Sequence, residues 1–258
     1  MNFIAAGLSD VGLERSHNED SYCILPQHRL FVVADGMGGH RAGDVASRMA
    51  THAISAFFDY LSEKQVDGLS WALEEDETLT DDQNRLVTAI KLANQRIFET
   101  SVKHPEVQGM GTTVVGAVFS RDDSVLYLAH VGDSRAYCIR EGAISQLTRD
   151  HSLLNDYLLA MPNLSEEQKS QLPDNVITRA LGMQQGVAVD AGEHPVQPGD
   201  VYLLCSDGLN GMISDEEILD LVSHAGDDVE SMAKALIAAA NHRGGEDNIT
   251  VVVVRITG

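Results

Sequence analysis

Five aspartates stand in short polar turns beside apolar runs: Asp20 in RSHNEDSY, Asp35 in VVADGMGGH, Asp133 in AHVGDSRAY, Asp207 in LLCSDGLNG and Asp247 in RGGEDNITVVVV. Asp-Gly and Asp-Asn steps suit tight turns, so any one of these alone reads as a turn residue. As a set they read differently. Antiparallel strands from distant parts of a chain end at a common rim, where carboxylates far apart in sequence can converge. Crowded carboxylates oppose one another's ionisation and either hold protons or recruit cations. With oxygen donors and no nearby Cys or His cluster, the fitting cations are Mg²⁺ or Mn²⁺ rather than Zn²⁺. Two such ions about 3.5–4 Å apart can share a bridging carboxylate, polarise a phosphoryl group and activate a water for in-line attack. Asp35 is the candidate bridge, and Gly36, having no Cβ, can bring its carbonyl close to a metal.

Rival chemistries fit less well. Gly38 to Gly43 has the GxxxxG spacing of a nucleotide loop, but Asp44 and Val45 replace the Lys and Ser/Thr that such a loop needs. The GDS block at 132–134 offers Ser134 as an esterase nucleophile. Such an enzyme needs an Asp three residues before its catalytic His, and none of the ten histidines has one. HExxH and EF-hand patterns are absent, which leaves attack by metal-activated water.

Positioning the aspartates requires strands. Runs with β character occur at 2–8, 21–25, 29–34, 112–119, 124–130, 134–140, 200–205 and 249–256. Apolar spacings of three and four predict helices at 42–62, 83–103, 215–223 and 228–242. The strands cluster before and after the helices, and short turns such as EGA at 141–143 join some of them, so the class is α+β with antiparallel sheets. The acidic stretch 63–82 reads as a connection between two helices. Residues 151–176 break the strand pattern with short helical pieces around Pro162 and Pro173 and read as a flap. Residues 1–258 are expected to form one domain.

Eighteen Lys and Arg against 39 Asp and Glu give a net charge of −21, which argues against nucleic acid and anionic membranes as partners. Cys23, Cys138 and Cys205 are far apart and form no CxxC pair, as expected in a reducing cytoplasm. The amino end lacks a basic leader region, and no apolar stretch approaches the roughly 18 residues of a membrane span. A cytoplasmic monomer is the expectation.

The ordered strings DVGLERSHNEDSY, VVADGMGGHRAGDVAS, MGTTVVGAVF, VGDSRAYCIR, LTRDHSLLND, VITRALG, LLCSDGLNGMI and GGEDNITVVVV resemble the type 2C protein phosphatases, in their compact bacterial branch, from Ser9 to Val254. The resemblance implies a four-layer αββα sandwich of two antiparallel sheets flanked by helices, with a dinuclear Mn²⁺ or Mg²⁺ site at one end. It implies that Asp35 bridges the ions, that Gly36 contributes its carbonyl, and that Asp207 and Asp247 bind one of them. Glu19 and Asp20 would position metal-bound waters, and Asp133 would hold a third, weaker ion. Arg15 matches the family's phosphate-binding arginine, whose planar fork can take two phosphate oxygens. Asn248 joins the candidate catalytic set.

Met37 stands where many eukaryotic relatives carry the histidine thought to protonate the leaving group, and the first nearby histidine is His40. His40 can donate directly, act through a water, or cap the following helix. The MPNL sequence in the expected flap departs from the glycine-containing sequence common there. The substrates implied are phosphoserine and phosphothreonine on proteins, with a Ser/Thr protein kinase as the opposing partner.

Overall fold

The computed structural model describes residues 2–38, 42–64, 76–161, 164–165, 168, 172–173 and 176–258. Its strands are β1 (Asn2–Asp10), β2 (Asp20–Leu25), β3 (Leu30–Met37), β4 (Gly111–Thr112), β5 (Val114–Phe119), β6 (Val125–Val131), β7 (Arg135–Arg140), β8 (Ala143–Gln146), β9 (Asp190–Pro195), β10 (Val201–Cys205) and β11 (Ile249–Thr257). Its helices are α1 (Ala42–Lys64), α2 (Asp81–Lys103), α3 (Leu153–Ala160), α4 (Asp207–Asn210), α5 (Asp215–His224) and α6 (Val229–His242).

The strands pair antiparallel into two sheets, ordered β1-β11-β10-β7-β8 and β2-β3-β5-β6-β9, with β4 added against β3. Alternation along β3 shows how the layers form. Leu30, Val32 and Ala34 pack with the buried faces of α1 and α2, while Phe31 and Val33 point into the space between the sheets. In β11, Val251 and Val253 pack with residues of α5 and α6, and Val252, Val254 and Ile256 meet the opposite sheet. Both faces of these strands are buried, so their sequences are continuous apolar runs rather than alternating ones. The result is the expected four-layer αββα sandwich. No helix among the described residues is long and apolar enough to cross a membrane.

Local sequence also sets the helix starts. Thr80 and Gln83 form a reciprocal capping box at α2, Ser214 and Glu217 form another at α5, and the Asp228 carboxylate accepts the backbone N–H groups of Glu230 and Ser231 in the first turn of α6. The EGA turn closes as expected: Glu141 and Gly142 both have positive φ, which suits a two-residue hairpin between β7 and β8.

Two features depart from the sequence reading, and a third reading is only partly covered by the described residues. No run was marked for β8 or β9, because AISQ and DAGEHP lack β-branched density, although the EGA turn already implied a partner for β7; β9 is an edge strand, placed by its pairing with β6. The run 112–119 is split at Thr113, where the Thr113 N–H turns aside to the Asp35 carbonyl at 2.8 Å. Of the expected connection at 63–82, residues 65–75 lie outside the described residues.

Between the sheets, Phe31 meets Phe3 and Phe119 edge to face, with ring centroids 5.4 and 5.9 Å apart, and Phe119 meets Tyr202 at 5.6 Å. Phe31 is 0% exposed, and truncating it would leave a cavity that the two sheets cannot collapse to fill. Phe31→Ala is expected to lower stability by about 3–5 kcal/mol, measured by urea unfolding.

Candidate metal centre

Strand register brings the aspartates together. In the β2–β3 ladder, Asp20 stands opposite Asp35. From the other sheet, β10 ends at Cys205 and Asp207 opens α4, while Asp247 directly precedes Asn248 and the start of β11. Asp133 occupies the turn in which the chain leaves β6 in one sheet for β7 in the other. Both sheets thus deliver acids to the same end of the sandwich. Arg15, Glu19, Asp35, Gly36, Asp207, Asp247 and Asn248 line a cleft of about 690 Å³. An adjoining groove of about 870 Å³ is lined by Asp133 and shares Arg15, Asp207 and Asp247 with the cleft.

Burial and mutual repulsion raise these carboxyl groups. Burial pushes Asp35 well above the ordinary carboxylate range, helped by the charges of Asp20 and Asp207. Burial likewise raises Asp20 to about 7, against the hydrogen bonds it accepts from Ser206 and Thr250. Asp133 is pushed to about 7 by burial and then by Asp207. Asp207 is raised by burial, an effect its hydrogen bond with Asp35 offsets in part. Glu19 is raised by burial and by Asp44. One buried oxygen on each of Asp20, Asp133 and Asp207 has no hydrogen-bond partner. Buried polar atoms are ordinarily satisfied, so orphaned carboxylate oxygens gathered at one end of the sandwich, on Asp207 in the cleft, Asp133 in the groove and Asp20 behind them, fit a hard divalent cation bound by oxygen.

The residues behind the acids hold them in place. Thr113 brackets Asp35: its Oγ1 accepts the Asp35 N–H at 3.1 Å and its N–H donates to the Asp35 carbonyl at 2.8 Å. The Ser206 hydroxyl donates to Asp20 Oδ2 at 2.7 Å and accepts the Thr250 N–H at 2.9 Å. Asn248 turns its amide inward, accepting the Glu19 N–H at 2.7 Å and donating to the carbonyls of Val11 and His17 at 2.9 and 3.0 Å. Sequence reasoning missed Thr113 and Ser206. The available signal was a hydroxyl residue in GTTV, and another directly before a strand-end Asp in CSDG.

Arg15 lies at the mouth of the cleft with its guanidinium donating to Asp247 Oδ2 at 2.7 Å. Gly36 has a steric reason beyond the one read from sequence: a Cβ there would stand 2.1 Å from the Gly43 carbonyl oxygen and 2.4 Å from that of Glu19. Ser134, the esterase candidate, is 1% exposed and its hydroxyl lies 2.7 Å from Thr113 Oγ1, so it is a packing hydroxyl rather than an accessible nucleophile. His40 lies outside the described residues. Within the expected flap at 151–176, helix α3 is described, and residues 162–163, 166–167, 169–171 and 174–175 are not.

Several solved structures with this architecture are phosphatases. The chain matches the Mycobacterium tuberculosis serine/threonine phosphatase PstP/Ppp with a TM-score of 0.83 and 35% identity, covering 99% of both chains. It matches the catalytic domain of PstP in complex with two manganese ions with a TM-score of 0.82 and 34% identity, again over 99% of both. It is 39% identical over 250 residues to the serine/threonine phosphatase stp of Listeria welshimeri, covering 95% of this chain and 93% of that protein. To the protein phosphatase PhpP of Streptococcus pneumoniae it is 35% identical over 250 residues, covering 96% and 95%. Fold and site therefore define an enzyme of the metal-dependent serine/threonine phosphatase class. The protein phosphatase 2C model matches residues 14–248, and the chain belongs to that family.

The raised carboxyl groups make a pH prediction. Without metal, Asp20 and Asp133 keep protons up to about pH 7 in the folded chain, whereas unfolded aspartates release them near pH 4. The folded state then binds more protons between these values, so metal-free stability falls as pH rises from about 4 to about 7. Mn²⁺ must displace the protons, so the rise in melting temperature on adding Mn²⁺ is expected to grow across the same window. Calorimetry in buffers of different ionisation enthalpy should show proton release on binding. A Mn²⁺-induced shift independent of pH would contradict this account.

Proposed function

We propose that this phosphatase hydrolyses phosphoserine and phosphothreonine on proteins at a dinuclear Mn²⁺ or Mg²⁺ centre, with a third ion held more weakly by Asp133. The observation that carries the reading is the set of buried, unpartnered carboxylate oxygens on Asp20, Asp133 and Asp207 at one end of the sandwich. Asp35, the Gly36 carbonyl, Asp207 and Asp247 would hold the two ions. When bound, the ions would polarise the phosphoryl group and make a nucleophile available from water at neutral pH.

The remaining steps belong to side chains of this chain. Glu19 and Asp20 orient water. Asn248 holds the Glu19 backbone while also tying down the segment that carries Arg15, through its bonds to Val11 and His17. Arg15 is the one guanidinium among the described residues lining the smaller cleft, and its fork suits a phosphate dianion. His40 is the candidate donor of the leaving-group proton. Support for the metal comes from the two manganese ions of the PstP complex, and support for the substrate class from the serine/threonine phosphatases this chain resembles. A protein kinase that phosphorylates serine or threonine is the partner such an activity opposes.

Phosphate release from a phosphothreonine peptide should depend on Mn²⁺, stop with chelator and exceed release from a phosphotyrosine peptide. Chelator-insensitive turnover would remove the metal mechanism. Asp207→Asn and Asp247→Asn should each lower kcat by at least about 10²-fold, the scale of losing a major electrostatic stabiliser. Arg15→Ala should raise KM much more than it lowers kcat, since phosphate is held in ground and transition states alike. An unchanged KM would take Arg15 out of that role.

A further inference from the structure

Beyond the aspartate cleft, His130, His151 and Asp190 also come together among the described residues, with their candidate ligand atoms within 4.8 Å of one another. His130 and Asp190 are cross-strand partners in the β6–β9 ladder, and His151 follows β8. A metal site is the first reading of two histidines and a carboxylate, and the ring geometry opposes it. The imidazoles are stacked, with centroids 4.7 Å apart and planes within 10° of parallel. Nitrogen lone pairs lie in the ring plane, so two stacked, nearly parallel rings cannot both aim at one ion. Asp190 already has a cation, since Arg179 donates to its Oδ1 at 2.5 Å.

The hydrogen bonds give the cluster another role. His151 binds both backbone polar atoms of Gly132: its Nδ1 accepts the Gly132 N–H at 3.0 Å, and its backbone N–H donates to the Gly132 carbonyl at 2.9 Å. An accepting Nδ1 puts the ring proton of neutral His151 on Nε2, which stands 3.3 Å from Asp190 Oδ2 without a well-aligned hydrogen bond. Asp190, held by Arg179, favours that tautomer. His130 makes the reciprocal bond, its Nε2 lying 2.8 Å from the Arg149 carbonyl. The stacked pair thus fastens the end of β6 to segment 149–151.

Gly132 directly precedes Asp133 and has φ +108, where a Cβ would lie 2.6 Å from the Thr113 side chain. A glycine in the left-handed region is conformationally free in the unfolded chain and needs outside contacts to fix it. His151 also reaches the flap ends: its carbonyl accepts the Thr178 N–H at 2.8 Å, next to the bridge between Ser152 and Ile177. Ile177 lines the aspartate cleft.

We infer that His151 is a positioning residue for Asp133, clamping the Gly132 peptide through an Nδ1 acceptor whose tautomer is set by Asp190 and Arg179, and tying that clamp to both ends of segment 151–176. The inference rests on the reading of Asp133 as the ligand of the weaker ion. Residues that orient metal ligands without touching the metal typically contribute roughly 10–100-fold to affinity.

The test separates the two ring nitrogens. Asn places a carbonyl oxygen near the position of Nδ1 and can still accept the Gly132 N–H, whereas Gln reaches toward Asp190 and leaves the Gly132 N–H without its acceptor. The backbone bond from residue 151 to the Gly132 carbonyl is kept in both. Mn²⁺ binding to the full chain is counted by the electron paramagnetic resonance signal of the free ion, with circular dichroism melting as the fold control. His151→Gln is expected to weaken the weakest Mn²⁺ by at least about tenfold and to leave the two tighter ions in place. His151→Asn is expected to stay within about threefold of the parent. Should the Gln variant not fold, Asp190→Asn, which removes the tautomer-setting charge, is expected to weaken the same ion.

Equal loss in the Gln and Asn variants, or no loss in the Gln or Asp190 variants, overturns the inference when Asp133→Ala itself abolishes the weak site. An Asp133→Ala protein that keeps every ion overturns instead the reading of Asp133 on which it rests.

Discussion

Carboxylates from both sheets are buried side by side at one end of the sandwich, and their mutual repulsion governs everything around them. Burial, and then the charges of Asp20, Asp207 and Asp133, push Asp35 well above the ordinary carboxylate range, which favours a proton or a cation at this end of the sandwich. A folded chain ordinarily avoids this arrangement, because buried charge without a partner raises its free energy. Here the surroundings enforce it. Thr113 binds both backbone polar atoms of Asp35, Ser206 fastens Asp20, and Asn248 ties Glu19 to the loop that follows β1. None of these contacts neutralises the acids. They fix the positions of the acids and leave the charge to be met by something else.

That fixity comes from the apolar layers. Strands β3 and β11 are buried on both faces, one against helices and one against the other sheet, so each acid leaves a ladder that is held from two sides. Asp20 and Asp35 belong to facing positions of one ladder, and Asp207 and Asp247 lie just beyond the ends of β10 and β11. Asp133 differs, since it sits in a turn between the sheets behind a glycine, where no ladder fixes it. The two stacked histidines stand behind that turn.

The charge of the whole molecule works against its substrates. A net charge of −21 repels phosphorylated, anionic partners at long range, although salt screens such fields beyond about 8–10 Å. Attraction must then be local, from Arg15 at the mouth of the cleft and from the ions proposed to bind within it. Placing Arg15 beside Asp247 keeps the guanidinium at the cleft before substrate arrives.

Much of this was legible in the chain. Continuous apolar runs marked the central strands, spacings of three and four marked α1, α2, α5 and α6, and aspartates at strand ends, with the ordered blocks around them, pointed to the phosphatase family. These features are local: they depend on residue type and short-range spacing, which any window of sequence displays. Pairing was not legible. Strand β9 is built from DAGEHP and exists because β6 supplies its partner, and the break at Thr113 exists because Asp35 needs its backbone bonds. Gly36 was read as a route for a carbonyl to reach a metal, and the packed chain adds that Gly43 and Glu19 leave no room for a Cβ. The position of Ser206 before a strand-end Asp was visible, but neither its role nor that of His151 was, because a hydroxyl or an imidazole acquires its role from the group it faces. The sequence by itself determined which residues were available and which segments had to be buried. Only the tertiary structure decided which acids met, how far burial raised them and which neighbours held them, because those energies depend on distances between residues remote in the chain.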